Sequence, residues 1–309
     1  MERTPNTNRE RQRAGIPSCI RCGIMTRMDV QPRIEAALGR RVRDSRPLSG
    51  GCVGDVCLVT LDNGSRLVVK SGGPEVDVEA RMLRYLGERT SLPVPSVVHD
   101  EPGFLAMEHV ETGGRGDRSS VERHAAEALA ALHAITDARG YGFEWDTVIG
   151  GLEQPNGWTA HWPDFYGETR ILHMARLAHE AGRVDAALVQ RVETLCGKLD
   201  GLIGETDGPA LVHGDVWSGN VLVRGGEVAA FIDPAIYYGD REVELAFITM
   251  FNTFGDDFFE RYNELLPIRE GFFEHRRELY LLYPLLVHAR LFGGGYVSSV
   301  QRVLDRYGV

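Results

Sequence analysis

Cysteine is scarce in this chain. Five cysteines, at 19, 22, 52, 57 and 196, are spread over 309 residues. An odd count in a chain this long argues against a secreted scaffold held by disulfides. Cys19-x-x-Cys22 has no second pair to complete a zinc site. No apolar run reaches the roughly 18 residues that a membrane span needs. The N-terminus also lacks the apolar stretch of a signal peptide. A cytoplasmic enzyme without a membrane partner is the default reading. Lysine is scarcer still, with Lys70 and Lys198 alone among 34 basic residues. Genomic base composition accounts for the arginine bias. A retained lysine is nevertheless a compact point charge where arginine offers a planar fork, so Lys70 draws attention.

What is present bounds the fold. The chain is 43% hydrophobic, enough for a substantial core divided into two lobes. Its formal net charge is −10, yet the first 28 residues hold six arginines against two glutamates. The remaining body is therefore strongly acidic. That argues against a nucleic-acid partner and suits a small neutral or cationic ligand. Residues 1–28 are polar and aperiodic and read as a disordered basic tail. Met25 and Met28 stand just before the first convincing element and are alternative starts.

Residues 29–110 read as a small lobe of about five strands and one or two helices. Asp29 is placed to cap a short helix over 31–38. The run PLSGGCVGDVCLVTLDNGSRLVVKSGG (47–73) reads as strand, glycine-rich turn, strand, Asn63-Gly64 hairpin and strand. Apolar residues at 76, 78, 82, 83 and 86 predict a helix over 75–87. Two more strands follow near 96–99 and 103–108. After the linker ETGGRGD the pattern turns helical, over 119–134, 162–181, 184–202, 241–254 and 270–291. A hairpin at 220–232 is the one predicted interruption. Gly293-Gly294-Gly295 separates the last long helix from a short terminal one. Residues 111–309 thus read as a larger, mainly helical lobe.

The hairpin carries the chemistry. His213, Asp215 and Asn220 precede its first strand, and Asp233 follows its second. With the turn at Gly226-Glu227, Asn220 lies opposite Asp233. With the turn at Gly225-Gly226, the two are offset by two residues. Either register keeps them within about 8 Å. An amide oxygen beside a carboxylate pairs poorly without a cation, and Mg²⁺ takes one or two protein oxygens together with phosphate. Asp215 and Asn220 have the D-x-x-x-x-N spacing of a protein-kinase catalytic loop, with Asp233-Pro-Ala where such kinases carry D-F-G. In the small lobe, Leu67-Val68-Val69-Lys70 parallels V-A-I-K, and Glu79 on the next helix is placed to pair with Lys70. Gly50, Gly51 and Cys52 belong to a glycine-rich turn suited to cover phosphates. Cys52 reads either as an oxidisable thiol beside backbone N–H groups or as a small apolar filler. The backbone of Met107, Glu108 and His109 would meet adenine at the hinge. The predicted class is α+β, a two-lobed protein kinase-like fold with a five-stranded antiparallel sheet in its N-terminal lobe.

HGDVWSGN, IDPAIYYGDRE and LFGGGY together resemble the fructosamine kinase (ketosamine 3-kinase) family, within the aminoglycoside/choline kinase-like fold. The likeness spans about residues 30–307. It implies ATP- and Mg²⁺-dependent phosphorylation of the sugar 3-hydroxyl of ketosamines, on free amines or on protein lysines, and a link to deglycation. It implies Asp215 as the base, Asn220 and Asp233 as metal ligands, and Lys70 fixed by Glu79 on the α/β-phosphates. His213 reads as a supporting residue. Trp217 reads as a sugar-stacking wall or as a core aromatic. Tyr237, Tyr238, Asp240 and His288 are implied pocket residues, Asp240 favouring a cationic ketosamine nitrogen. One departure stands out, since Glu244 occupies a position where the wider superfamily often has Asp. The rival readings are a kinase of an aminoglycoside or amino alcohol and a non-catalytic nucleotide-binding regulator. The expected assembly is a monomer or weak dimer.

Overall fold

A computed structural model describes residues 27–48 and 55–309. Nearly all of the basic tail, and Gly50, Gly51 and Cys52 of the predicted phosphate loop, lie outside the described residues. The first element is α1 (Arg27–Leu38), which contains Pro32. It starts four residues earlier than the sequence suggests, so Asp29 sits within its first turn rather than before it.

Five strands then form one antiparallel sheet in the order β1-β2-β3-β5-β4. They are β1 (Val42–Pro47), β2 (Asp55–Leu61), β3 (Arg66–Ser71), β4 (Val97–Glu101) and β5 (Phe104–Glu108). The β2–β3 hairpin turns at Asn63-Gly64. Gly64 takes φ +87, and the Asn63 side chain accepts the Ser65 amide at 3.0 Å. Between β3 and β4 runs α2 (Pro74–Arg89), opened by a proline at its N-terminus with Glu75 and Asp77 in the first turn. Those placements suit the helix end that carries unsatisfied N–H groups and positive dipole charge. Two apolar faces run along α2. Val76, Ala80 and Leu83 pack on Leu105 and Met107 of the sheet. Met82 and Leu86 join the large core that fills the rest of the molecule.

That second lobe contains more than helices around one hairpin. After α3 (Arg118–His133), the short strands β6 (Thr147–Ile149) and β7 (Leu152–Gln154) pair as a ribbon. A helical stretch follows as α4 (Trp162–Asp164), a π-helical segment Phe165–Leu172 and α5 (His173–Glu180). The helix predicted over 184–202 is split into α6 (Ala186–Cys196) and α7 (Leu199–Ile203). Strand β8 (Ala210–Val212) leads into the loop of interest. It is followed by β9 (Val221–Arg224), β10 (Glu227–Phe231) and β11 (Tyr237–Gly239). β8 pairs with β11, a two-stranded sheet absent from the sequence reading. Next come α8 (Glu242–Met250), α9 (Asp256–Leu265), which the sequence reading missed, and a π-helical turn at Phe272–Arg276. The chain ends with α10 (Arg277–Tyr280), α11 (Leu282–Phe292) and α12 (Gly295–Arg306), the last two parted by glycines as expected.

The β9–β10 register begins as the second sequence alternative and then departs from it. The turn is at Gly225-Gly226, since Glu227 pairs with Arg224. A bulge between Val228 and Ala230 then shifts the ladder by one, so Phe231 faces Val221. The Ile232 amide consequently meets the Asn220 carbonyl at 3.0 Å. Asp233 thus lies one residue beyond the partner of Asn220.

Candidate active site

Lys70 projects from β3, whose partners β2 and β5 flank it in the sheet. Its ammonium lies 2.7 Å from Glu79 on α2 and also contacts the Asp233 carboxylate directly. The two lobes therefore meet at one cation. Burial works to lower the Lys70 pKa, but Glu79 and Asp233 outweigh it, and the net direction is upward. Burial pushes the Glu79 carboxyl upward against the pull of Lys70. Because the lysine is held in its charged form, the contact is an ion pair enclosed on most sides.

Several positions of HGDVWSGN have a visible reason. Gly214 takes φ +85, and a Cβ there would stand 2.2 Å from the Ala235 carbonyl oxygen, so no side chain fits. The carbonyl of His213 accepts the Ala235 amide at 2.7 Å, which ties the loop to the segment after Asp233. Asn220 is buried and its amide nitrogen donates to the Asp215 carboxylate at 2.8 Å and to the Asp215 carbonyl at 3.0 Å. Its side-chain oxygen is therefore turned away from Asp215. Asp233 holds an unusual φ of +53 for a non-glycine residue. Strained backbone of this kind persists where the surroundings over-determine it, commonly at functional sites. Burial first, and the Asp233 carboxylate second, push Asp215 up to about 8, with the Asn220 hydrogen bond opposing.

Among the described residues, no three His, Cys, Asp or Glu side chains form a protein-only metal cage. One carboxylate from Asp233 and one amide oxygen from Asn220, beside a polyphosphate, is the kind of donor set that Mg²⁺ accepts. The residues present fit that ion.

Glu244 braces the loop from below. Its carboxylate accepts the Gly214 amide at 2.6 Å and the His213 amide at 3.2 Å, and meets His133 Nε2 at 2.8 Å. The departure from Asp is thus absorbed, because the longer glutamate reaches both amides from α8. His213 is fully buried, and its Nδ1 accepts the Asp215 amide at 3.3 Å. It supports the loop, as the sequence suggested.

Trp217 and His288 are brought together, although 71 positions separate them. Phe251, at the end of α8, lies between them, with ring centroids 5.9 Å from Trp217 and 5.3 Å from His288. Tyr296 extends the series at 4.9 Å from His288. All four rings are half-buried. His288 Nδ1 donates to the Pro284 carbonyl at 2.7 Å, leaving Nε2 as an acceptor, and burial lowers its pKa. Phe251 carries no motif signal, and its place in this wall is visible only in three dimensions.

Three other predicted pocket residues are buried in the core. Asp240 is 2% exposed, with its carboxylate held by Arg269, the Tyr280 hydroxyl at 2.7 Å and the Glu242 amide at 3.0 Å. All three of these partners are internal to the protein. Tyr237 lies in the core under the buried Arg170 guanidinium, 4.0 Å from the ring centroid. Tyr238 is also buried, and its hydroxyl meets that of Tyr85 at 3.0 Å. At the hinge, Met107 is buried, while the amides of Glu108 and His109 donate to the Ser96 and Arg66 carbonyls. Those two N–H groups are engaged within the sheet and are not free for adenine.

The fructosamine kinase family profile matches residues 27–308, nearly the whole described chain. The chain belongs to the fructosamine kinase family. Its relatives include the chloroplastic protein-ribulosamine 3-kinase of Arabidopsis thaliana, 34% identical over 84% of this chain and 81% of that protein. A Synechocystis protein provisionally assigned as a ketoamine kinase is 35% identical, covering 86% and 90% of the two chains. A Thermobifida fusca crystal structure, provisionally assigned as a fructosamine-3-kinase, superposes with a TM-score of 0.79 at 34% identity, over 90% of this chain and 97% of that one. A macrolide 2'-phosphotransferase superposes at a TM-score of 0.60 with 19% identity, a likeness of fold alone. This fructosamine kinase family member thus has the two-lobed protein kinase-like architecture that its sequence predicted. Among its described residues, no helix is long and apolar enough to cross a membrane.

Proposed function

We propose that the protein is an ATP-dependent ketosamine 3-kinase, transferring a phosphoryl group to the sugar 3-hydroxyl of a fructosamine or ribulosamine. The observation that carries this reading is the Lys70 ammonium set between Glu79 of one lobe and Asp233 of the other. Lys70 would hold the α/β-phosphates, with Glu79 fixing its position. Asn220 and Asp233 would hold Mg²⁺, which when bound supplies charge neutralisation at the phosphates. Asp215 would orient the sugar hydroxyl and take its proton. Lys70 and an ion held at Asp233 would offset the Asp233 carboxylate and so favour the ionised form of Asp215 that this role needs. At the hinge, the Glu108 carbonyl and the Val110 amide would meet adenine. Groups of one residue on an antiparallel strand share a direction, so the Glu108 carbonyl, like its amide, points away from β3, whereas the His109 amide points toward it. Trp217, Phe251 and His288 would flank the sugar, with Nε2 of His288 accepting from a hydroxyl. Such positioning and charge stabilisation supply most of the catalysis in phosphoryl transfer.

The test is ADP release by the purified protein with Mg²⁺-ATP and either ribulosyl-lysine or fructosyl-lysine. The expected result is turnover with a ketosamine well above the ketosamine-free rate. Asp215→Asn should lower turnover by about 10²–10⁴-fold while leaving nucleotide affinity nearly unchanged. A ketosamine rate equal to the background, or faster turnover of an aminoglycoside or choline, would reject the reading.

A further inference from the structure

The helix that carries Glu79 is anchored at both lobes. Six residues beyond Glu79, Tyr85 leaves the small lobe and enters the large core together with Met82 and Leu86. Its ring meets Phe143 edge-on at 4.9 Å and Trp145 at 5.8 Å. One turn earlier, the Arg81 guanidinium lies 3.6 Å over the Trp145 ring. Beyond the helix, the Pro93 carbonyl accepts the Phe231 amide at 2.8 Å. At the centre of this contact the Tyr85 and Tyr238 hydroxyls are 3.0 Å apart, both within the protein interior. Tyr238 is itself rigid, since its backbone exchanges hydrogen bonds of 2.8 and 2.9 Å with Gly142.

We propose that the Tyr85–Tyr238 hydroxyl pair is an interlobe latch that sets the position of α2, and through it the Glu79–Lys70 ion pair. Both tyrosines are positioning residues for phosphoryl transfer. Glu79 and Tyr85 are separated by about 9 Å along a rigid helix axis. A displacement of α2 at Tyr85 therefore moves Glu79 against a lysine that the sheet holds in place. Apolar attraction is non-directional, whereas a hydrogen bond between two hydroxyls has a preferred distance and angle and so adds a constraint on the rotation and height of the helix. The Tyr238 position thereby acquires a role in the reaction without touching substrate. This inference rests on the proposed reading only for the turnover assay, because nucleotide binding reports on Lys70 independently.

The experiment is a double-mutant cycle of Tyr238→Phe and Glu79→Gln in the full chain, read in kcat/KM for ATP, in Mg²⁺-ATP affinity by calorimetry and in Tm. Tyr238→Phe keeps the ring and removes one hydroxyl. It should lower kcat/KM for ATP about fivefold in the otherwise native protein, the scale of one hydrogen bond. In the Glu79→Gln background it should lower it less than about twofold, since the ion pair it positions is already lost. The loss in Tm should be the same in both backgrounds. Equal fold-losses in the two backgrounds would overturn the latch and leave Tyr238 a structural residue only. Absence of ATP binding by the native protein would overturn both the latch and the kinase reading. ATP binding without ketosamine turnover would overturn the substrate reading, and the cycle would then be decided by the calorimetric affinities.

Discussion

The Glu244 carboxylate is 2% exposed, yet its pKa is lowered. Burial alone would raise it, but the hydrogen bond from His133 and the positive potential around it prevail. The same carboxylate accepts two consecutive backbone amides of the 213–220 loop, at His213 and Gly214. His133 is fixed in turn through Nδ1 by the Tyr262 hydroxyl at 2.7 Å. Substituting Glu244→Gln keeps the shape but replaces an acceptor oxygen with an N–H₂ donor. That group must then face either an amide or the imidazole. The expected loss is about 3 kcal/mol, the scale of hydrogen bonds to a buried charged group. Denaturant unfolding of the variant measures it. A midpoint equal to that of the native protein would remove Glu244 from this bracing role. The loop also has no freedom to compensate, because Gly214 is left-handed and pressed against Ala235.

At the scale of elements, the proposed acceptor wall is assembled from three helices. Phe251 closes α8, His288 lies in α11 and Tyr296 opens α12, all beside Trp217 of the loop. Phe251→Ala would remove the ring that bridges Trp217 and His288. It should raise the ketosamine KM about tenfold, the loss of aromatic area plus ring–ring contact, with KM for ATP unchanged. Steady-state kinetics in each substrate would show it, and an equal rise in both constants would count against the wall as an acceptor surface. Elements of this kind explain what the sequence disclosed and what it withheld. Lys70, Glu79, Asp215, Asn220 and Asp233 were legible because each sits at a fixed offset within one strand, helix or loop. The five-stranded sheet was legible through alternation and the Asn-Gly turn. The hairpin register was not, because one extra residue in β10 has no signature in a run of Val and Ala. Sheet β8–β11 was hidden by the 24 residues between its strands, and all three residues of β11 are buried. Tyr237 and Tyr238 therefore looked like pocket residues by neighbourhood to Asp233, although both faces of their strand are covered. Asp240 looked available for the same reason, since nothing local announces Arg269 as its partner.

Over the whole molecule, α2 contributes to both the sheet-side cluster and the large core, so the lobes share structure. Unfolding is expected as one cooperative transition in which buried titratable groups from both sides count together. His213 and His288 are both shifted below the ordinary imidazole value, with burial the first cause in each. His109 is lowered too, again by burial first. A histidine whose folded pKa is depressed binds its proton more readily when unfolded. Stability therefore falls as pH drops below about 6.5, the unfolded value. His161 is raised by Asp164, which has the opposite sign, but it is an exposed pair and weak in solvent. Glu244 acts lower down. Its depressed folded pKa gives stability that is present above the ordinary glutamate value, near 4.3, and lost as pH falls through the folded value. On the alkaline side, the raised Lys70 contributes fully below the ordinary lysine value and loses its contribution as pH rises through the folded one. Asp215 and Glu79 act in the opposite sense, because burial raises both carboxyls and a raised carboxyl gives stability that is present at low pH and lost as pH rises through the folded value, about 8 for Asp215. The urea midpoint should thus rise as pH falls from about 8 to about 6.5 and lose that gain below about 6.5, where unfolding lets the histidines take up protons. It should then decline more steeply once the carboxylates begin to protonate. Unfolding curves at half-unit intervals would trace this profile. A midpoint that fell as pH dropped from about 8 to 6.5 would mean that Asp215 stays ionised in the folded protein, contrary to its place beside the Asp233 carboxylate.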